Sequence, residues 1–366
     1  MGPSRTLTGY AGDHARGNLP LVAGCRPHDR RRRSRVRDHW WLPEEGCRPA
    51  VPRPPPAPRR RLIAGLATLA HSAERLRAEL LARCTFPLSG TRVTCAVSGG
   101  ADSTALLVLA ISAGLEVTAV HVDHGLRPGS AEEALVVSNT ATRFGAAFRS
   151  ERVQLTDGPN LEARARAARF AVLPHEVLTG HTADDQAETI LVNLLRGAGT
   201  RGMSAMRPGH RRPLLALRRA ETEALCAAFE LEVVHDPSNL DPRHLRNRVR
   251  HELLPLLADL SRRDPTPVLT RQADLVRDES DLLDELAAAL DPTDANALAA
   301  APVPLARRAV RRWLTADHPP DAATVERVLA VARGEAVAAE VGGGRRVARR
   351  HRQLTLFAPT NTPQNK

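Results

Sequence analysis

Lysine is almost missing from this chain of 366 residues: of 52 basic residues 51 are arginine, and Lys366 stands alone at the far end. A Walker-type phosphate loop needs a lysine in its glycine turn, so that motif is excluded. Long apolar runs are missing too. No stretch approaches the length of a membrane span, and no signal-peptide pattern opens the chain. Cysteine is sparse and scattered, at Cys25, Cys47, Cys84, Cys95 and Cys226. With an odd count and no C-x-x-C pair, the sequence suggests neither a disulfide framework nor a zinc or iron–sulfur site. The expected compartment is a reducing cytoplasm.

A formal charge of +11 invites a nucleic-acid reading, but the charge is uneven. Residues 1–60 hold thirteen Arg against five Asp and Glu, which places +8 of the +11 in that segment. The remaining body is nearly balanced, so the charge says little about it. The same segment carries ten prolines and the run Arg30-Arg31-Arg32-Arg33. It cannot bury enough apolar surface to offset its ordering entropy and reads as a disordered extension. It is a solvated tail, an RNA-binding arm or the product of a start codon placed too far upstream. Arginine in place of lysine fits phosphate recognition, and it fits genomic base composition at least as well.

From residue 61 the pattern becomes that of a folded protein. Leu62, Leu66, Leu69, Leu76 and Leu80 recur at helical spacing. Strand and helix signals then alternate: strand 92–97 and helix 102–113, strand 116–122 and helix 130–144, strand 148–154 and helix 161–172, strand 176–179 and helix 184–196. Repeated βα units imply an α/β fold, a parallel twisted sheet with helices on both faces. Ligands bind such sheets beyond the carboxyl ends of the strands.

The chemistry-bearing residues cluster at those ends. Ser98-Gly99-Gly100-Ala101-Asp102-Ser103 joins the β-branched run Arg92–Val97 to the apolar helix that follows. Its glycines admit close backbone approach, and the helix N-terminus favours an anion. Ser98 and Ser103 add hydroxyls, and Asp102 can hold a divalent cation against phosphate oxygens. The spacing is wrong for a dinucleotide fingerprint. A capped turn with no ligand is the plain alternative.

His121-Val122-Asp123-His124-Gly125-Leu126-Arg127 ends the second strand. Glu162, Arg164, Arg166 and Arg169-Phe170 follow on a helix, with Arg166 and Arg169 on one face. Gly180-His181-Thr182-Ala183-Asp184-Asp185-Gln186-Ala187-Glu188-Thr189 opens the next helix, with Thr182 as its N-cap. Asp185 and Glu188 lie three apart, so two carboxylates share a face and call for a cation between them. Arg196 to Gly202 forms a basic glycine loop containing Arg201. Arg246-Asn247-Arg248-Val249-Arg250 leads into an apolar helix. Taken singly, each of these also reads as a solvated charged face or a linker.

Taken together they resemble one family. The loop matches the S-G-G-x-D-S signature of the PP-loop ATP pyrophosphatases, the adenine nucleotide alpha hydrolase-like fold. The strings H-V-D-H-G-L-R, A-R-x-x-R-[YF], G-H-x-x-D-D-Q-x-E-T and D-x-[ST]-N…R-N-x-[IV]-R resemble those of tRNA(Ile)-lysidine synthetases, over roughly residues 92–257. The resemblance implies a ligase that adenylates the wobble cytidine of CAU-anticodon tRNA(Ile) with ATP and then attaches L-lysine at carbon 2. It implies ATP binding by Ser98, Gly99, Gly100, Ala101, Asp102, Ser103, His121 and Asp123, and Mg²⁺ on Asp102. Asp185 and Glu188 would hold lysine and, with Asp102, carry catalysis. Arg166, Arg169, Arg196, Arg201, Arg246 and Arg250 would meet tRNA or other phosphates. Another PP-loop tRNA-modifying enzyme, a thiolase, and a catalytically silent tRNA or nucleotide binder are the alternatives.

The expected organisation is an extension over 1–60, an ATP-binding catalytic domain over 61–258 and a helical, tRNA-contacting domain over 259–366. The last domain has helices at 266–290, 300–315 and 321–333 and ends in a β-hairpin with a basic tip, Gln353–Phe357 adding a strand. A homodimer is admitted, and no membrane partner is expected.

Overall fold

The computed structural model describes residues 71–123, 125, 130–153, 161–316 and 318–358, without the side chains of 130–131, 161–163 and 165–166. The 1–60 extension, His124 and Arg127, and the side chains of Glu162 and Arg166 therefore lie outside the described residues.

A helix covers 71–81 (α1). Strands and helices then alternate: β1 (Arg92–Ala96), α2 (Ala101–Ser112), β2 (Glu116–Asp123), α3 (Ser130–Phe144), β3 (Ala147–Arg152), α4 (Leu161–Val172), β4 (Leu178–Thr179) and α5 (Ala183–Leu195). The four strands form a parallel sheet in the order β3-β2-β1-β4. Strand neighbours run outward from β1 to β3, and the chain then returns to place β4 on the other side of β1. The carboxyl ends of β1 and β4 thus flank the switch point where such sheets open a crevice.

Side-chain alternation shows that both faces are covered. Val93, Cys95, Val97, Val117 and Ala119 join one core with α1 and α2. Ala96, Val120 and Val122 point to the opposite face and pack with Phe170 of α4, Leu173 and Val177. That period of two is what a strand buried on both sides requires. In α2 every residue from Ser103 to Ala110 is buried, so this part of the helix is enclosed all round.

The expected strand over 176–179 shrinks to two residues. A turn closes after Pro174, with the Val177 N–H donating to the Pro174 carbonyl at 3.1 Å. Thr179 N–H then donates to Arg211 O at 3.0 Å, so a non-strand segment takes the free edge of β4.

The chain continues through α6 (Thr200–Met203), α7 (Arg219–Ala228), α8 (Leu245–Arg248), a π-helical turn (Val249–Leu253), α9 (Leu254–Ser261) and the 23-residue α10 (Thr266–Ala288). The helices α11 (Ala295–Ala300), α12 (Val303–Leu314) and α13 (Ala322–Arg333) follow. Where the sequence suggests a hairpin plus one strand, β5 (Ala338–Glu340), β6 (Arg346–Arg350) and β7 (Gln353–Phe357) form one antiparallel sheet. Helices α11 to α13 and this sheet share a second core that includes Leu298, Val310, Leu314, Val328 and Val347. Along α10, Ala273, Arg277, Ser280 and Ala287 are buried, a single stripe at helical spacing. Through it α10 packs on α5 and α12. No described helix is long and apolar enough to cross a membrane.

Candidate functional site

The site is built where β1 and β4 end. Gly99 adopts φ +89°, and a Cβ there would lie 2.6 Å from Val234 Cγ2. Its carbonyl accepts from Val234 N–H at 2.9 Å. Glycine is needed at this position for conformation and for space alike. Gly180, after β4, touches the same turn from the other side: a Cβ would come within 2.6 Å of the Asp102 carbonyl oxygen. Two loops from separate strands are thereby pressed together at the switch point.

Inside the first loop, Ser103 Oγ donates to Gly100 O at 2.9 Å and accepts from Ser98 N–H at 3.2 Å. Ser98 Oγ lies 3.2 Å from the same oxygen, and Thr104 Oγ1 donates to Gly99 O at 3.2 Å. His121 is buried at the end of β2, with Nδ1 3.0 Å from Val97 O. A carbonyl only accepts, so Nδ1 carries the proton. Nε2 is then a buried acceptor that lacks a hydrogen-bond partner among the described residues. Asp123, half-buried one residue after Val122, accepts from Gly125 N–H at 2.8 Å.

Opposite the loop, Thr182 caps α5, and Asp185 reaches back to the Thr182 N–H at 2.9 Å and the Thr182 hydroxyl at 3.0 Å. Asp185 and Glu188 face the same way, and both are buried, Glu188 completely. Three guanidiniums enclose them. Arg219 donates to Asp185 and to Glu188, each at 3.2 Å, and to Asp102 at 3.4 Å. Arg246 donates to both acids at 2.8 Å. Arg250 grips Glu188 with two bonds, at 2.6 and 3.0 Å. Three acids and three arginines therefore form one balanced cluster. Burial of such charges is tolerable only when each is paired and hydrogen-bonded.

Local structure explains how the arginines converge. Arg219 is the first residue of α7, and its N–H is anchored on Asp184 at 2.7 Å. Arg218 holds that same carboxylate with two bonds, at 3.0 and 2.8 Å, and also pairs with Asp264. Arg246 and Arg250 straddle the junction of α8 with the π turn, which keeps both on one side of the helix. Asn247 fixes that junction by donating to Ser238 O at 2.8 Å and Asp241 O at 2.9 Å.

Electrostatically the acids differ. Burial pushes Asp102 up from 3.8 to about 6, with Asp185 adding repulsion against the opposing pull of Thr222 and Arg219. Burial works in the same direction on Asp185, but Arg219 and Arg246, the Thr182 N–H and His181 outweigh it and hold that carboxyl below its ordinary value. Arg219 and Arg246 are both raised, since the surrounding carboxylates overcome the cost of burial. A pocket of about 240 Å³ adjoins the cluster, its lining shared between Glu188, Arg219 and Arg250 and the apolar Leu254, Pro255 and Ala258.

The structure thus gathers Ser98, Gly99, Gly100, Ala101, Asp102, Ser103, Asp185 and Glu188 at one crevice. It turns Arg246 and Arg250, which the sequence suggests for phosphate contacts, inward onto the acids. Arg196, on the loop after α5, and Arg201 are exposed, but the expected basic loop ends in the short helix α6, which carries Arg201. Arg169 is half-buried, its guanidinium 5.5 Å from the Phe170 ring centroid. Sequence reasoning assigns no role to Arg219 or Thr222. Their one local signal is the apolar Leu214–Leu217 segment, which leads straight into a helix opening on two arginines.

A family model described as a PP-loop domain matches residues 69–257. A tRNA(Ile)-lysidine synthase from Nocardia farcinica is 41% identical over 303 residues, covering 76% of this chain and 95% of the relative. A tRNA(Ile)-lysidine synthase from Mycolicibacterium paratuberculosis is 42% identical over 260 residues, covering 66% of this chain and 81% of the relative. Among solved structures, the U34-tRNA thiolase NcsA from Methanococcus maripaludis aligns at 17% identity and a TM-score of 0.44, over 58% of this chain and 80% of that one. A likeness that distant does not speak to chemistry.

Proposed function

The chain belongs to the tRNA(Ile)-lysidine synthase family, and we infer that it uses ATP to join lysine to carbon 2 of the wobble cytidine in a CAU-anticodon isoleucine tRNA. The observation that carries this reading is the buried Asp185–Glu188 pair set against the glycine loop at one switch point. An adenylating loop and a cation-binding acid pair are the two halves such a ligation needs.

In the first half, cytidine O2 attacks the α-phosphorus of ATP and diphosphate leaves. The Ser98–Ser103 loop presents hydroxyls and a helix N-terminus to the departing charge. Mg²⁺, when bound, draws charge from the same phosphates. Among the described residues no group of three or more His, Cys, Asp or Glu could hold a metal. Asp102, raised to about 6 and short of full pairing, is the residue that would hold the ion. His121 Nε2 offers a buried acceptor to the nucleotide, and Asp123 lies on the same strand end.

In the second half, the lysine side-chain amine, having lost a proton, bonds to carbon 2. The carbon–oxygen bond breaks, and AMP leaves with that oxygen. Asp185 and Glu188 orient the incoming ammonium. Acids beside an ammonium raise its pKa, so their work is positioning and not activation. The mixed lining of the 240 Å³ pocket suits a charged head on an aliphatic stem. Exposed Arg196 and Arg201, with Arg166 and Arg169 on α4, are the phosphodiester contacts of this reading. The C-terminal sheet adds Arg346, Arg350 and Arg352, all exposed, as a tRNA surface.

Sulfur transfer is the weaker reading. Burial pushes Cys84, Cys95 and Cys226 up to about 12, so none is a thiolate near neutral pH. The test is labelled lysine, ATP, Mg²⁺ and a CAU-anticodon tRNA(Ile) transcript. Label that survives mild alkaline deacylation is the expected result. AMP release that needs a sulfur donor, with no lysine on the tRNA, would overturn the assignment.

A further inference from the structure

An ionised carboxylate offers about four acceptor positions, and both acids of the lysine pair are already full. Asp185 accepts from the Thr182 N–H, the Thr182 hydroxyl, Arg219 and Arg246. Glu188 accepts from Arg219, from Arg246 and twice from Arg250. An ammonium brings three donors and one positive charge, and the cluster is already balanced. It can enter only by displacing a guanidinium. The bond lengths indicate which one. Arg246 and Arg250 hold the acids at 2.6–3.0 Å, whereas Arg219 stands off at 3.2 Å from each. Arg219 alone also bridges to Asp102, at 3.4 Å, on the nucleotide side.

We propose that Arg219 is a positioning residue that holds the ammonium's place on Asp185 and Glu188 and yields it when nucleotide phosphates offer the guanidinium a better partner. This rests on the lysine-site reading above. Phosphates next to Asp102 supply the negative charge that draws Arg219 across, and the acceptors it vacates become available to lysine. Nucleotide and lysine then favour each other's binding. Linkage requires the two effects to be equal: the factor by which nucleotide tightens lysine is the factor by which lysine tightens nucleotide.

The test is a titration of the full chain with L-lysine, with and without α,β-methylene-ATP, and the reciprocal titration. The expected result is lysine binding at least ~10-fold tighter with the analogue, and the same factor in reverse. In Arg219→Gln the lysine Kd without nucleotide falls, and the coupling factor shrinks toward one. Arg219→Lys, which keeps the charge on a different head, retains part of it. Equal lysine Kd values in both conditions would overturn the proposal, as would full coupling in a folded Arg219→Gln protein. Lysine binding too weak to detect even with the analogue would also overturn it. If Arg219→Gln does not fold, the wild-type cycle and Arg219→Lys still decide. Lysidine formation by the wild type separates the two levels. Its absence refutes the proposed activity on which the inference rests, whereas its presence with no coupling refutes Arg219's role alone.

Discussion

Asp102 and Asp185 are bonded to the same guanidinium, yet the protein drives them in opposite directions. Burial raises Asp102 to about 6, while Asp185, more deeply buried, is held below its ordinary value. The difference lies in the other donors. Asp185 has Arg246 and the Thr182 N–H in addition to Arg219, whereas Asp102 has a hydroxyl from Thr222 and the long contact to Arg219. Burial alone therefore does not predict protonation; the number of charged or fixed donors does. One carboxylate is left underpaired beside the Ser98–Ser103 loop. The other is ionised throughout the physiological range, with its acceptor positions already taken by Thr182, Arg219 and Arg246.

Asp102→Asn breaks the comparison most severely. Adenylation, read as tRNA-dependent ATP–diphosphate exchange, is expected to fall on the order of 10²–10³-fold. Stability should move the other way. A raised carboxyl favours its neutral form in the fold, so its cost is absent below 3.8, grows as pH rises and is complete above about 6. The move from 3.8 to about 6 is worth roughly 3 kcal/mol. The melting-temperature gain of Asp102→Asn over wild type should thus be larger at pH 7.5 than at pH 4. A gain that does not vary with pH would show that burial does not load this group.

Asp185→Ala tests the other pole. It should leave adenylation within a few-fold and cut lysine transfer by at least about 10²-fold, since the ammonium loses its second anchor. Single-turnover assays of the two half-reactions separate these. If both survive unchanged, Asp185 does not hold lysine.

The half of the site that lies within one element was legible in the sequence. Two carboxylates three apart after a threonine cap define a face without any tertiary information, and so does a glycine turn between a β-branched run and an apolar helix. Arg219 was not legible. It meets Asp102 across 117 positions and Glu188 across 31, and its direction depends on Asp184 anchoring the start of α7. Arg246 and Arg250 could be placed on a common face, but no local pattern says whether that face meets phosphates or acids 58 to 62 residues away. The fold was legible to the same depth. The βα alternation is written in residue types, whereas the truncation of β4 follows from a turn at Pro174 and a distant carbonyl at Arg211.

Gly99→Ala probes the loop that carries Asp102. Alanine at φ +89° costs on the order of 1–3 kcal/mol, and its Cβ would collide with Val234 Cγ2 at 2.6 Å. Urea unfolding of Gly99→Ala, Val234→Ala and the double variant separates the two causes. If the collision matters, Val234→Ala recovers part of the loss, and what remains is backbone strain. Full recovery would mean the positive φ costs nothing here.

The smallest effect is expected where the site's chemistry recurs in water. Arg207 pairs with Asp281 of α10 through both carboxylate oxygens, one bond at 2.8 Å, but the two side chains are 64% and 43% exposed. In the cluster, removal of one partner leaves a buried charge; here water takes the vacated place. Arg207→Ala should therefore cost no more than about 1 kcal/mol. Nearby Arg277, buried, already ties α10 to the Ser204 and Met206 carbonyls at 2.8 and 3.0 Å, so the packing of α10 on this loop does not hang on the exposed pair. Salt decides the matter. Exposed charges are screened over a few ångströms at 1 M, so the difference between wild type and Arg207→Ala should vanish there. A loss above 2 kcal/mol that persists in salt would mean that this pair, despite its exposure, belongs with the buried pairs of the site.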